Sequence, residues 1–276
     1  MSDTDLRVAP EVELTVSGVS SLWDILKIEA EHQAAENPLI SEHIRSAILS
    51  QDSLEHALIY VLVRKLANAE SDPQNISDMF QAVFDGRPDM IENIRADLIA
   101  VRERDPACMS YVKPLLFYKG FQALQVHRIA HALWKKGQRS VAHYLQSLSS
   151  EIFNVDIHPA ARIGQGIMID HASGVVIGET AIVGDNCSIL HSVTLGGSGN
   201  ESGDRHPKVG NGVLIGAGAT ILGNIEVGDC SRIAAGSVVI KSVPKMKTVA
   251  GVPAKVVGDS GCLEPARLMT QNTLGD

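Results

Sequence analysis

Residues 208–239 read "KVGNGVLIGAGATILGNIEVGDCSRIAAGSVV", and Val209, Ile215, Ile221, Val227, Ile233 and Val239 fall six residues apart without a break. A period of six is neither the period of about 3.6 of a helix nor that of about two of a simple strand. A fixed hexapeptide period marks a parallel β-helix. Each short strand of a triangular coil sends one aliphatic side chain inward, a tight corner follows, and the stacked coils make the inward residues a continuous column. Glycine, which tolerates corner geometry, recurs just after the aliphatic at Gly164, Gly178, Gly184, Gly196, Gly210, Gly216 and Gly228. A sandwich of short strands with accidental spacing would not hold period and glycine phase together. The period leaves the handedness of the coil open.

Two further runs lie upstream: Ile177, Val183, Ile189 and Leu195, and before them Ile157, Ile163 and Ile169. The phase slips between runs. Ile169 and Ile177 are offset by two residues from the repeat, and Leu195 to Val209 is fourteen residues, not a multiple of six. The second gap contains "GGSGNESGDRHPK" (196–208), which must leave the wall of the prism as a loop. Loops on rigid scaffolds are where function concentrates. The stretch "VDIHPAARIGQGIMIDHASG" (155–174) sets two Asp and two His among small and aliphatic residues.

Residues 20 to about 152 keep a helical period instead. In "DSLEHALIYVLVRKLA", Asp52 followed by Glu55 resembles a capping box, and Leu54, Leu58, Val61 and Leu62 share one face. In "FQALQVHRIAHALWKKG", Val126, Ile129, Ala130 and Leu133 do the same, and Lys135, Lys136 and Gly137 suit a helix C-terminus. Pro73, Gly86/Pro88, Pro106 and Pro114 divide the region into an expected six or seven helices. The resulting fold class is α+β: a helical domain over 1–152, a β-helix with a protruding loop over 153–260, and a tail over 261–276. The first ~20 residues are polar, a composition compatible with disorder.

The totals narrow the function classes. A chain of 276 residues with 45% hydrophobic content can bury a sizeable core. A formal net charge of −8 argues against a nucleic-acid partner. Cys108, Cys187, Cys230 and Cys262 are scattered with no C-x-x-C, as reduced thiols are and a disulfide frame or zinc site is not. "MSDTDLRVAPEVELTV" is acidic, without the basic start of a signal peptide. The longest apolar run, "ALIYVLV" (57–63), is far short of the ~20 residues that span a bilayer. A soluble cytoplasmic protein with no membrane partner is expected.

Several segments together resemble the serine O-acetyltransferase family: "RERDPA" (102–107), "PLLFYKGFQALQVHRIAH" (114–131), "VDIHPAARIGQGIMIDHASGVVIGETA" (155–181), "HSVTLGGSG" (191–199), "GDRHPKVGNGVLIGAGATILGNIEVG" (203–228) and "VAGVPAKVVG" (249–258). The likeness runs from about residue 90 to 258. The "DRHPK" loop and the "PLL..KGF" helix are specific to that family, whereas the hexapeptides and "VPA" belong to the wider acyltransferase group. The resemblance implies a left-handed β-helix and homotrimers paired into a hexamer. It implies acetyl-CoA as co-substrate, L-serine as acceptor, and L-cysteine as feedback inhibitor. The family's partner, O-acetylserine sulfhydrylase, takes a C-terminal Ile; this chain ends in Asp276, which counts against that complex.

Residue by residue, the resemblance makes His171 the general base and Asp156 its carboxylate partner. Moving acetyl from a thioester to an alcohol needs a base near neutral pH, which an imidazole supplies. The pair is fifteen residues apart, within reach on neighbouring coils of about eighteen. Asp105 and Asp170 match the carboxylates that grip the substrate ammonium; Arg205 and His206 match the carboxylate binders, a role that suits the arginine fork. On the residues alone, Asp156 reads as a cap at the helix-to-repeat junction, Asp105 as a turn residue before Pro106, and Arg205 as a solvated loop cation. Gly197, Ala217, Gly218, Ala235 and Lys255 are placed against CoA by their phase in the repeat, where corner geometry or solvation would serve equally. His158, His171, His191 and His206 raise a zinc reading, which needs three converging ligands; no metal is expected. His127, His131 and His143 are expected to be surface or packing residues. A sugar acetyltransferase is the nearest rival, although a sugar offers no carboxylate to Arg205 and His206. A scaffold without activity would not need both His171 and Asp156.

Overall fold

The computed structural model describes residues 21–68, 71–199, 202–261 and 264–270. The order of the first ~20 residues, Cys262 and the ending at Asp276 lie outside the described residues.

The helical part comprises α1 (Leu22–Glu36), α2 (Pro38–Ile44, running into a π turn to Leu49), α3 (Leu54–Leu66), α4 (Pro73–Asp85), α5 (Met90–Arg104), α6 (Val112–Leu116), α7 (Lys119–Lys135) and α8 (Arg139–Phe153). These are eight α-helices between residues 21 and 153, against the six or seven expected, and a ninth short one, α9 (Pro265–Leu268), follows the β-helix. Local chemistry sets their ends. Ser21 and Asp72 cap α1 and α4 by accepting backbone N–H bonds from Asp24 and Gln74. The expected capping pair starting at Asp52 is displaced by one residue: Ser53 is the cap of α3 and accepts from the His56 N–H. At the end of α7, Gly137 takes φ +83° and the Gln138 N–H reaches back to the Leu133 carbonyl. Helix α7 is the axis of this layer. Phe121, Leu124, Val126, Ile129, Ala130 and Leu133 are all buried along it.

From Val155 the chain winds into a prism with three faces. The first face stacks β1 (Val155–Ile157), β4 (Val175–Ile177), β7 (Thr194–Gly196), β10 (Thr220–Leu222) and β13 (Val238–Val239). The second stacks β2 (Arg162–Ile163), β5 (Ile182–Val183), β8 (Lys208–Val209) and β11 (Glu226–Val227). The third stacks β3 (Met168–Ile169), β6 (Ser188–Ile189), β9 (Leu214–Ile215), β12 (Arg232–Ile233) and β14 (Lys247–Gly251), to which β15 (Ala254–Asp259) adds antiparallel. Register puts each hexapeptide aliphatic directly over the last. Ile157, Ile177, Leu195, Ile221 and Val239 form one ladder. Ile169, Ile189, Ile215, Ile233 and Val249 form another. Ile163, Val183, Val209 and Val227 form the third. Burying each such side chain contributes about 1.5–3 kcal/mol, and one core runs from α1 through the prism.

The two parts are locked together by a buried ion pair. Arg128 of α7 meets Asp97 of α5 at 2.8 Å, with side chains 6% and 0% exposed. Every remaining polar edge is used. Asp97 also accepts from Gln125 and from the Ile167 N–H, and Arg128 donates to the carbonyls of Ile163 and Gly164. Arg104 of α5 donates to the Cys187 carbonyl and the Ser188 hydroxyl. The helices therefore hold the first coils through charges that have no water to fall back on. No helix among the described residues is long and apolar enough to cross a membrane.

Candidate active site

The first slip in the repeat falls at the corner 170–174, where the third face passes to the first. Two extra residues force the turn: His171 and Ala172 both take the left-handed conformation, at φ +55° and +62°. Each such non-glycine residue costs about 1–2 kcal/mol. The corner is stitched by the Ala172 N–H to the Asp170 carbonyl, the Ser173 N–H to the His171 carbonyl, and the Gly174 N–H to the Asn154 carbonyl. The strain turns the His171 side chain out of the prism, leaving it 75% exposed. His191, one coil further on, meets it edge to face at a ring separation of 5.8 Å. The sequence reading placed His191 only among the histidines of a metal site. The signal for its position was present: 171 and 191 are twenty apart, an eighteen-residue coil plus the two inserted residues.

Helices α5 and α7 close over this corner and leave a cleft of about 520 Å³. Asp105, Asp170 and His171 line it together, with Tyr118, Lys119, Phe117 and Phe121 from the α7 side. Asp105 arrives there as the C-cap of α5; it also accepts from the Ala107 N–H, so the turn reading holds as well. Asp170 Oδ2 lies 3.8 Å from His171 Nε2. Burial, then Cys108 and Asp105, push the Tyr118 phenol well above its usual range, and it stays protonated beside Asp105. From the sequence, Tyr118, Lys119 and Gly120 carry no site expectation beyond the family's "PLL..KGF" helix. Gly120 is required by close approach: a Cβ there would lie 2.0 Å from the Ile169 carbonyl oxygen. A slightly larger groove, about 570 Å³, runs along the second face past Lys208, Glu226, Asp229 and Lys245. It offers neither imidazole nor thiol, so chemistry outweighs size and the 520 Å³ cleft is the candidate site.

Asp156 does not join His171 in this chain. Its carboxylate accepts from Gln146 of α8 at 2.7 Å, and among the described residues it shares no hydrogen bond or ion pair with the imidazole. It occupies the helix-to-repeat junction, as the residues alone suggested. The distance is nonetheless short in topology, because Asn154, two residues earlier, bonds the corner at Gly174.

Arg205 and His206 lie on a different edge, where the first face passes to the second. Arg205 pairs with Glu179 at 2.8 Å and holds the Glu179 carboxyl below its usual range. The His206 ring sits on Gly178, where a Cβ would come within 2.0 Å of it. Thr180 Oγ1 accepts from the N–H groups of both Arg205 and His206. Burial, with Arg205 and Lys208 nearby, lowers the His206 imidazole. Gly197 starts the same loop, where a Cβ would lie 3.4 Å from Arg205 Cγ. Ala217, Gly218 and Ala235 instead stack above His171 on the third-to-first edge: the Gly218 N–H bonds the His191 carbonyl, and the Gly236 N–H bonds Ala217. Lys255 pairs with Ala250 in the hairpin beyond them. One chain therefore splits the expected residues between two edges of the prism.

The histidines of the zinc reading do not converge. His158 packs on Trp134 and His143, His206 on Gly178, and His171 on His191. Among the described residues no cluster of three His, Cys, Asp or Glu side chains could hold a metal ion. His127 is buried rather than on the surface, and burial pushes its imidazole well below the usual range. His143 is exposed, its ring edge-on to Trp134, and His131 is bonded to the Pro159 carbonyl.

Comparison with known proteins places these features in a family. Residues 22–126 match the family described as serine acetyltransferase, N-terminal, and residues 206–241 match the bacterial transferase hexapeptide (six repeats). The serine acetyltransferase of Salmonella typhimurium is 49% identical, covering 92% of this chain and 93% of its own. A mitochondrial serine acetyltransferase of Arabidopsis thaliana is 51% identical over 87% of this chain, which spans 61% of that relative's length. Among solved structures, the Brucella abortus serine acetyltransferase in complex with coenzyme A superposes with a TM-score of 0.86 at 50% identity, covering 88% of this chain and 98% of that one. A serine acetyltransferase in complex with cysteine gives a TM-score of 0.89 at 47% identity, covering 91% of this chain and 98% of that one.

Proposed function

The chain belongs to the serine acetyltransferase family, and on that premise we propose that it moves the acetyl group of acetyl-CoA to the hydroxyl of L-serine, with His171 as general base. The observation that carries the reading is the cleft in which two carboxylates, Asp105 and Asp170, flank an imidazole held outward by a strained corner. The two carboxylates suit a substrate ammonium. The imidazole takes the serine hydroxyl proton as the oxygen attacks the thioester carbonyl. The carbon–sulfur bond then breaks, and the imidazolium returns its proton to the departing thiolate, so O-acetylserine and free CoA leave with atoms and charge balanced. Such proton transfer contributes about 10²–10⁴-fold. No protein nucleophile is required.

The substrate carboxylate needs Arg205 and His206, which the same chain holds on another edge. A second copy presenting its first-to-second edge to the His171 edge would complete the site. We accordingly take the assembly to be a trimer, with pairs of trimers as its larger form. Gly197 then faces CoA from one copy, and Ala217, Gly218, Ala235 and Lys255 from the other. Asp156 becomes the partner of His171 by exchanging Gln146 for the imidazole, stabilising the imidazolium as a triad carboxylate does. L-cysteine, which carries the same ammonium and carboxylate as serine, fits the same place as an inhibitor. The cytoplasm is the compartment we assign, on the scattered cysteines.

Release of CoA thiol from acetyl-CoA, measured with L-serine and with hexose acceptors, tests the reading. Serine is expected to be turned over and hexoses not. Equal rates with a hexose would replace it with the sugar acetyltransferase reading.

A further inference from the structure

The cleft contains a cation that the reaction above does not use. Lys119, the first residue of α7, lines the same space as Asp105, Asp170 and His171, yet its ammonium is bonded to the Ser173 hydroxyl. Ser173 is the fourth residue of the strained corner, two positions after His171. The next residue, Gly120, is pressed so closely on this corner that a Cβ would lie 2.0 Å from the Ile169 oxygen and 3.1 Å from Ala172 Cβ. Lys119 and Gly120 therefore clamp both ends of the turn that carries the imidazole.

We propose that Lys119 is a positioning residue: its bond to Ser173, beside the Gly120 seat, holds the 170–174 corner in the left-handed form that aims His171 into the cleft. The proposal rests on His171 being the base. The fit between sequence and corner explains why it needs such help. The neighbouring corner at 190–193 carries one left-handed residue, Ser192, and no clamp of this kind among the described residues. The longer corner has two consecutive non-glycine residues in that region, and the backbone bonds within it are short-range ones, Ala172 to Asp170, Ser173 to His171 and Val175 to Ala172.

The test compares Lys119→Met, Ser173→Ala, the double variant and Lys119→Arg in the full-length protein, with hydrogen exchange of the 170–176 peptide read by mass spectrometry. Lys119→Met is expected to speed exchange there while leaving the peptide around Ile233, two coils beyond His191, unchanged, and to lower kcat by about 10–100-fold, since small misplacements of a catalytic group have large effects. The KM for serine should change by less than about threefold, as expected when only transition-state placement is lost. The double variant should be no worse than Lys119→Met, and Lys119→Arg should recover most of the rate. A serine KM that rises with kcat unchanged, or single effects that multiply in the double variant, would overturn the proposal by making Lys119 a direct substrate contact or an independent residue. Unchanged exchange in Lys119→Met would overturn it regardless of rate. The base assignment fails separately, if His171→Ala keeps its turnover.

Discussion

The two interruptions of the hexapeptide repeat behave differently. The corner at 170–174 adds two residues and stays tight. It is strained, packed under α7, and backed by the buried Asp97–Arg128 pair that grips the coil just before it. The insertion between Gly196 and Lys208 adds eight residues, and its Arg205 and His206 are tethered by Thr180, Gly178 and Glu179 of their own prism. A short insertion has no length to reach elsewhere, so it reorients one side chain within its own cleft. A long one can present side chains to a neighbour. The proposed base, His171, and the proposed carboxylate binders, Arg205 and His206, fall on different edges because each break sits at a different corner of the triangle.

The sharpest way to break this contrast is at the short insertion. His171→Ala is expected to lower kcat by about 10²–10⁴-fold while CoA still binds; near-normal serine acetylation in stopped assays would remove the base from that corner. The support under it comes next. Arg128→Met strands the Asp97 carboxylate in the core and should cost about 3–5 kcal/mol in denaturant unfolding. A smaller loss than a typical surface change would mean that the ion pair does not anchor the first coils.

At the long insertion, Arg205→Ala should raise the serine KM by about 10–100-fold, matching the loss of a charge-assisted bond, with the acetyl-CoA KM unchanged. Co-expressing His171→Ala with Arg205→Ala chains should restore part of the activity, since mixed trimers would contain one intact site between copies. Restoration no greater than the sum of the separate variants would place both edges' residues in service of one chain. The smallest effect is expected from Thr180→Val. It leaves the Arg205 and His206 N–H groups without their acceptor and should cost about 1–3 kcal/mol, read as a lower thermal midpoint and a raised serine KM. An unchanged KM would mean that the loop holds its form without Thr180.

Much of this was legible in the chain. The period of six specifies three aliphatic ladders, because only an inward residue per face of a stacked coil demands that spacing. The two slips marked the corner and loop of the proposed site, and counting strands in threes from Ile157 places them on different edges: the first after the third strand, the second after the seventh. Asp105, Asp170 and His171 could be assigned only through family resemblance, since an Asp before Pro106 or after Ile169 looks like any turn residue.

By itself, then, the sequence determined the prism, its phase breaks and its family, since these depend on short-range spacing and side-chain type. Tertiary structure alone decided that Gln146 occupies Asp156 and that Lys119 and Gly120 press on the strained corner. Those outcomes depend on how the helical layer docks against particular coils. Docking is set by complementary surfaces and buried charge between residues tens of positions apart, which no local period encodes.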